Sequence, residues 1–265
     1  MKTPENLITS TQNPRVKELV ALRKERGTLA LVEGAREIEA ALQARALIRS
    51  VWLCPARLSE PERALLPQLS AACPEPTEVA PHVFEKIAYR EHPGGLLVVV
   101  QPQRRALSQL ALSQRPLLLL VEGVEKPGNA GAMLRTADAA GVDAVLFCDC
   151  PLDLYNPNLI RASLGTVFTL PAVATTGEEA CAFLARQGIR PILAAPQAER
   201  DYFDADLSGP CAIVVGSESA GLSRTWEKLN ALRVRIPMQG SSDSLNVSVA
   251  AAILLFEALR QRREN

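Results

Sequence analysis

Residues 117–135 read LLLLVEGVEKPGNAGAMLR: an unbroken apolar run, a loop carrying Gly123, Pro127 and Gly128, and then a stretch with helical spacing. Apolar runs of the same kind recur at 144–148, 192–195 and 212–215, and helical spacing recurs near 130–140, 177–187 and 222–229. A strand with one wet face alternates apolar and polar residues, so runs that are apolar throughout predict strands covered on both faces. The fold class expected is therefore α/β, with a mostly parallel sheet. In open sheets of this kind ligands gather in the loops beyond the carboxyl ends of the strands. The closing stretch 245–263 reads as a helix, apolar for three turns and then basic at Arg260, Arg262 and Arg263. Its front must be buried in the core or in a subunit interface.

Three loops carry unusual residues. In the first, Asn129 is placed to cap the helix that follows, and Gly131 and Arg135, four apart, share one helical face. Read alone, this is equally a cap and a surface arginine. The second, GSESAGLS at 216–223, imitates the spacing of a phosphate loop, but Leu222 stands where the lysine is required and Glu218 would repel phosphate. A nucleoside triphosphatase is thereby excluded. The third, IPMQGSSDSLNVS at 236–248, is small and polar between two apolar elements; Ser244 or Asn246, taken alone, is a helix cap. Such a loop also has backbone groups to offer a flat ligand. There is no GxGxxG, no GxSxG and no HExxH, and the two histidines, His82 and His92, read as ordinary polar residues.

Outward from this half the composition changes. The chain has 265 residues, 48% of them hydrophobic, with 29 basic and 29 acidic side chains. Residues 1–105 hold 15 basic and 12 acidic side chains, whereas 106–265 hold 14 and 17. The polar stretch 101–114 separates them. We expect a first domain over 1–103, a linker over 104–115 and a second domain over 116–265. In the first, Asn13 and Pro14 begin a helix running to about Arg26, 34–44 is a second helix, and 50–54 and 95–100 are strands, which makes a small α/β unit. The polar start, Met1 to Arg15, has no apolar core of a secretion signal, and no apolar run approaches the roughly 20 residues that cross a bilayer. Six scattered cysteines without a CxxC pair read as reduced thiols of a cytoplasmic protein; the pair Cys148 and Cys150 lacks neighbouring ligands, so no metal is expected.

Taken together and in order, NAGAMLR at 129–135, VGSESAG at 215–221, and IPM at 236–238 with SLNVSV at 244–249 resemble the three motifs of the SpoU/TrmH family of RNA ribose 2′-O-methyltransferases, in the SPOUT superfamily. NPNLIRASLG at 156–165 is also similar, and ITSTQNPRVK at 8–17 with LVEGAR at 31–36 resembles the small ribosomal-protein-like substrate-binding domain that many members carry. The resemblance implies an α/β trefoil knot, a homodimer and S-adenosylmethionine as cofactor. It implies that Gly216, Ile236, Met238 and Leu245 border the cofactor, with Ala194 and Pro196 as a further wall. Arg135 would act on the ribose hydroxyl, as base or as electrostatic stabiliser, with Asn129, Glu218, Ser244 and Asn246 as its catalytic companions. RNA would meet Arg15, Lys17, Arg23, Lys24, Arg26 and Arg36. Ribosomal RNA is the favoured substrate; transfer RNA, and a non-catalytic RNA-binding or assembly protein of the same fold, are the alternatives.

Overall fold

The computed structural model describes residues 7–23, 27–217, 221–241 and 243–263, the side chain of Lys228 excepted. In chain order the elements are α1 (Pro14–Leu22), β1 (Ala30–Glu33), α2 (Ala35–Gln43), β2 (Leu47–Leu53), α3 (Glu60–Ala72), β3 (Thr77–Glu78), α4 (Pro81–Ile87) and β4 (Leu96–Gln101). They continue with β5 (Leu117–Glu122), α5 (Pro127–Ala140), β6 (Ala144–Cys148), α6 (Pro157–Ala162), α7 (Thr166–Thr169) and β7 (Ala172–Thr175). The chain closes through α8 (Gly177–Gln187), β8 (Arg190–Ala194), β9 (Cys211–Val215), β10 (Leu232–Val234) and α9 (Val247–Arg263).

The chain divides into two compact units. The first holds the described residues up to Gln103 together with Tyr155–Thr169; the second holds Arg104–Leu154 and the residues from Leu170 onward. This departs from the sequence reading, which placed 155–169 in the second domain. The physical reason lies in α2 and α7, which pack on each other within the first unit. Gly165, at φ +82°, lies so close to α2 that a β-carbon there would stand 2.7 Å from Cβ of Ala40. The linker expected at 104–115 is also no free tether: Leu107, Leu110 and Leu112 pack against the core of the second unit.

The first unit carries a four-stranded sheet in the order β1-β4-β2-β3, with β4 antiparallel to both its neighbours. Its core gathers Trp52, Phe84, Ile87 and Leu97 with Val16 and Leu19 of α1. Neither α3 nor α4 was expected from the sequence. Pro61 and Pro67 in α3 read as helix breakers, yet Pro61 sits in the first turn, where its missing N–H costs nothing, and Ser59 with Glu62 forms a capping box.

The second unit is built on a six-stranded sheet in the order β10-β8-β9-β5-β6-β7, every pairing parallel. Its central strands β5, β6 and β9 are buried along their whole length, as uninterrupted apolar runs require. The short strands β7 and β10 were not anticipated, and the helix expected over 222–229 is a single 3₁₀ turn at Arg224–Lys228. The turn stops because its one large apolar side chain, Trp226, is drawn fully into the core. Helix α9 packs against α5 and β9. Its end is fastened by Arg262, whose guanidinium donates to the carbonyls of Arg115, Pro116, Leu207 and Gly209 at the starts of the central strands.

Gly165→Ala should combine a positive-φ penalty with an overlap against Ala40, a loss of about 2–4 kcal/mol. It is read as an earlier urea midpoint of the full chain; an unchanged midpoint would show that α7 does not press on α2.

Candidate functional site

Register places the ends of three neighbouring strands level with one another. Val234 of β10 faces Ala194 of β8, and Leu193 faces Val214 of β9. The loops leaving these ends enclose a cavity of about 510 Å³, a volume typical of small-molecule sites. Ala194, Pro196, Gly216, Ile236, Met238 and Leu245 all line it, and Ser244 joins them. The walls mix apolar side chains such as Val215, Leu222 and Val247 with polar and charged ones, Gln197, Arg233 and Asp243 among them.

The wall after β9 depends on glycine. A β-carbon on Gly216 would lie 2.1 Å from the carbonyl oxygen of Gly221 and 2.3 Å from its carbonyl carbon, both backbone atoms that cannot turn aside. Gly221 adopts φ +66°, and its N–H donates to the carbonyl of Ser217 at 2.9 Å. The loop therefore closes on itself through backbone contact, and the two glycines are what permit it. Glu218 lies outside the described residues.

The first and third motif segments meet through their asparagines. Asn246 Nδ2 donates to Asn129 Oδ1 at 3.2 Å, while Asn246 Oδ1 accepts from the N–H and hydroxyl of Ser248. Asn246 thus serves both as the cap of α9 and as its tie to α5. Gly131 of α5 is buried, whereas Arg135, four residues on, is exposed.

One residue of this region was missed in the sequence. Glu122, the last residue of β5, is buried; Ser223 donates to it through both its N–H and its hydroxyl, and Trp226 through its indole N–H. At the head of a glycine-containing loop it reads as an ordinary surface carboxylate, and nothing local marks it otherwise. Nearby, burial raises the thiols of Cys148 and Cys150, that of Cys150 to about 11, so both stay protonated at neutral pH. Among the described residues no group of three or more His, Cys, Asp or Glu side chains is placed to hold a metal ion.

The cationic side chains of the first unit are not equivalent. Arg15, Lys17 and Arg36 are exposed, and the Arg15 guanidinium lies 5.2 Å from the ring centre of Trp52 while donating to Thr77 Oγ1 at 2.7 Å. Arg23 is turned inward: it donates to the carbonyl of Lys86 at 2.5 Å, and burial lowers its pKa against the opposing pull of Glu33. Its guanidinium is thus partly engaged within the first unit, unlike that of the exposed Arg36. Lys24 and Arg26 lie outside the described residues.

Comparison with known proteins agrees with this arrangement. Residues 116–256 match the SpoU rRNA Methylase family, and 13–98 match the MRM3-like substrate binding domain. The chain belongs to the SpoU rRNA methylase family. A relative in Streptomyces viridochromogenes, named 23S rRNA (uridine(2479)-2′-O)-methyltransferase, is 32% identical over 98% of this chain and 94% of its own. A crystal structure of an RNA 2′-O ribose methyltransferase superposes with a TM-score of 0.85 at 43% identity, covering 97% of this chain and 99% of that one. The SpoU methyltransferase AviRb from S. viridochromogenes, in complex with the cofactor AdoMet, gives 0.85 at 31% identity, covering 96% and 100%. The mixed α/β fold with its parallel sheet is that of the SpoU methyltransferase structures, and S-adenosylmethionine is the cofactor of the family.

The cavity's volume and its mixture of apolar, polar and backbone lining suit a ligand that joins a flat ring to charged and hydroxylated groups. Gly216→Ala should raise the dissociation constant for S-adenosylmethionine about tenfold or more, an estimate of 1.4 kcal/mol for a displaced wall. Calorimetric titration checks it, and unchanged affinity would place the cofactor elsewhere.

Proposed function

We propose that this protein transfers a methyl group from S-adenosylmethionine to a ribose 2′-hydroxyl of ribosomal RNA in the cytoplasm. The second unit would perform the transfer and the first would bind substrate. The observation that carries the reading is that residues of the second and third motif segments line one cavity beyond the ends of the parallel strands, while the Asn129–Asn246 hydrogen bond ties the first segment to the third. Relatives named for ribose methylation of 23S rRNA, similar along the whole chain, support the choice of substrate.

In this reading Ala194, Pro196, Gly216, Ile236, Met238 and Leu245 would hold the cofactor, which supplies an electrophilic methyl group when bound. What the chain must add is alignment of the hydroxyl and stabilisation of the charge that forms on its oxygen. Arg135 suits the second task. Its guanidinium stays protonated in proteins, so it is a donor of charged hydrogen bonds to a forming alkoxide or adjacent phosphate and a poor base. Standing exposed on α5, it is free to meet RNA. The Asn129–Asn246 pair fixes the start of α5, and so the row on which Arg135 stands. Ser244, at the cavity rim, and Glu218 complete the set carried over from the family.

Two features extend the reading. Arg15, Lys17 and Arg36 are exposed cations of the first unit, suited to phosphate, so RNA affinity should fall with added salt. On α9, Val249 and Phe256 are 46% and 48% exposed, with Ile253 half-buried between them. An apolar strip of this kind on the helix that carries the third motif fits a homodimer whose partner helix covers it.

Arg135→Ala should lower methyl transfer to ribosomal RNA by about 10²-fold or more while leaving S-adenosylmethionine affinity within a few-fold. Undiminished transfer would remove Arg135 from the reaction, and transfer confined to tRNA would redirect the substrate. Phe256→Glu should shift the protein toward monomer in sedimentation velocity; an unaltered sedimentation coefficient would place the interface elsewhere.

A further inference from the structure

Among the described residues of the second unit, Glu122 is the one carboxylate that is almost wholly buried yet has no part in the reaction proposed above: it is 7% exposed. Three hydrogen bonds converge on it. Oε2 accepts from the N–H of Ser223 at 2.9 Å and from Nε1 of Trp226 at 2.9 Å, and Oε1 accepts from the hydroxyl of Ser223 at 2.7 Å. All three partners act as donors, the set that an ionised carboxylate satisfies and an apolar side chain leaves stranded. Burial of such a group is costly in itself, so its return must lie in what it holds in place.

What it holds is the far end of the loop after β9. Ser223 follows directly on Gly221 and Leu222, which line the cavity, and its hydroxyl also accepts from the N–H of Thr225 to begin the turn at Arg224–Lys228. Trp226, fully buried, locks that turn into the core. At its near end the same loop is fixed by Gly216 against Gly221. Glu122 also stands at the head of the loop that leads into the first motif segment, and its neighbour Gly123, at φ +63°, is close enough to Ser217 that an added β-carbon would lie 3.8 Å from Cβ of Ser217. One buried carboxylate therefore ties the loop before the first motif segment to the residues that follow the second.

We propose that Glu122 is the positioning residue of the cofactor cavity: through Ser223 and Trp226 it holds the Gly221–Leu222 wall in the arrangement that receives S-adenosylmethionine. The inference rests on the reading of the cavity as the cofactor site. It assigns Glu122 no contact with cofactor or RNA; the residue acts through the wall. A purely structural carboxylate would, on removal, diminish the fraction of folded enzyme and leave cofactor affinity per folded molecule untouched. A positioning carboxylate sets that affinity.

The test compares Glu122→Ala, Glu122→Gln and Ser223→Ala in the full chain, by calorimetric titration with S-adenosylmethionine and by steady-state kinetics with ribosomal RNA. Glu122→Ala should weaken cofactor binding about tenfold or more and raise the KM for S-adenosylmethionine in step, with kcat at saturating cofactor within about threefold and the KM for RNA unchanged. Glu122→Gln should stay within about threefold of the parent. Its amide oxygen can take the bonds from Ser223 N–H and Trp226, and its amide N–H can meet the Ser223 hydroxyl once that rotor turns. Ser223→Ala should fall between the two, and it carries the test alone should Glu122→Ala fail to fold. Wild-type affinity in folded Glu122→Ala or in Ser223→Ala, or a fall in kcat without a change in affinity, overturns the inference. If the parent protein binds S-adenosylmethionine but Gly216→Ala binds it equally well, the assignment of the cavity has failed instead, a result distinct from either.

Discussion

A β-carbon at residue 216 would stand 2.1 Å from a backbone oxygen at residue 221, and much of the site follows from that crowding. Strand β9 ends among buried strands, and just beyond it the backbone of Gly221 comes so close to Gly216 that residue 216 has no room for a side chain. The return brings Gly221 and Leu222 to one side of the cavity, while the loops after β8 and β10 supply the others. A parallel sheet whose neighbouring strands end level thus gathers three loops around one cavity.

This arrangement separates the tasks of the reaction in space. The cavity, lined by backbone, apolar side chains and the charged Arg233 and Asp243, would hold a reagent that needs little chemical help once it is aligned. The exposed guanidinium of Arg135 stands outside its lining and, in the proposed reading, meets the RNA. The contact between α5 and α9 fixes these parts relative to each other through Asn129 and Asn246. Cations suited to RNA, Arg15, Lys17 and Arg36, are carried by the first unit. A net charge of zero over 265 residues is therefore no obstacle to a nucleic-acid substrate, because the basic side chains that matter are local.

Much of the fold was legible for a simple reason. Strands β5, β6 and β9 are buried along their length, as is the middle of β8 at 191–193, and each shows an apolar run broken only at its end by Glu122 or Arg190. Three- and four-residue strands such as β10 and β7 offer no such pattern, since edge pairing rather than composition makes them strands. The reading of 222–229 as helix failed because helical spacing alone does not reveal that Trp226 is anchored to Glu122. The segment 155–169 was assigned by chain position, whereas packing of α7 on α2 decides its unit. At the site, the cavity residues were named from family resemblance, since nothing in the spacing of Ile236 or Leu245 shows what they face. Glu122 and Arg23 were misjudged for opposite reasons: one charged residue was passed over and the other assumed exposed, and burial cannot be read from residue type.

The central claim is ribose methylation, and its most direct test is chemical. Purified protein would be given S-adenosylmethionine carrying a labelled methyl group and ribosomal RNA from a strain lacking the enzyme, and the product digested with alkali. A methyl group on the 2′-oxygen blocks cleavage at its own linkage, so the account predicts label in an alkali-resistant dinucleotide from one position. Label released in a mononucleotide, as a methylated base would give, or no transfer at all, would contradict it.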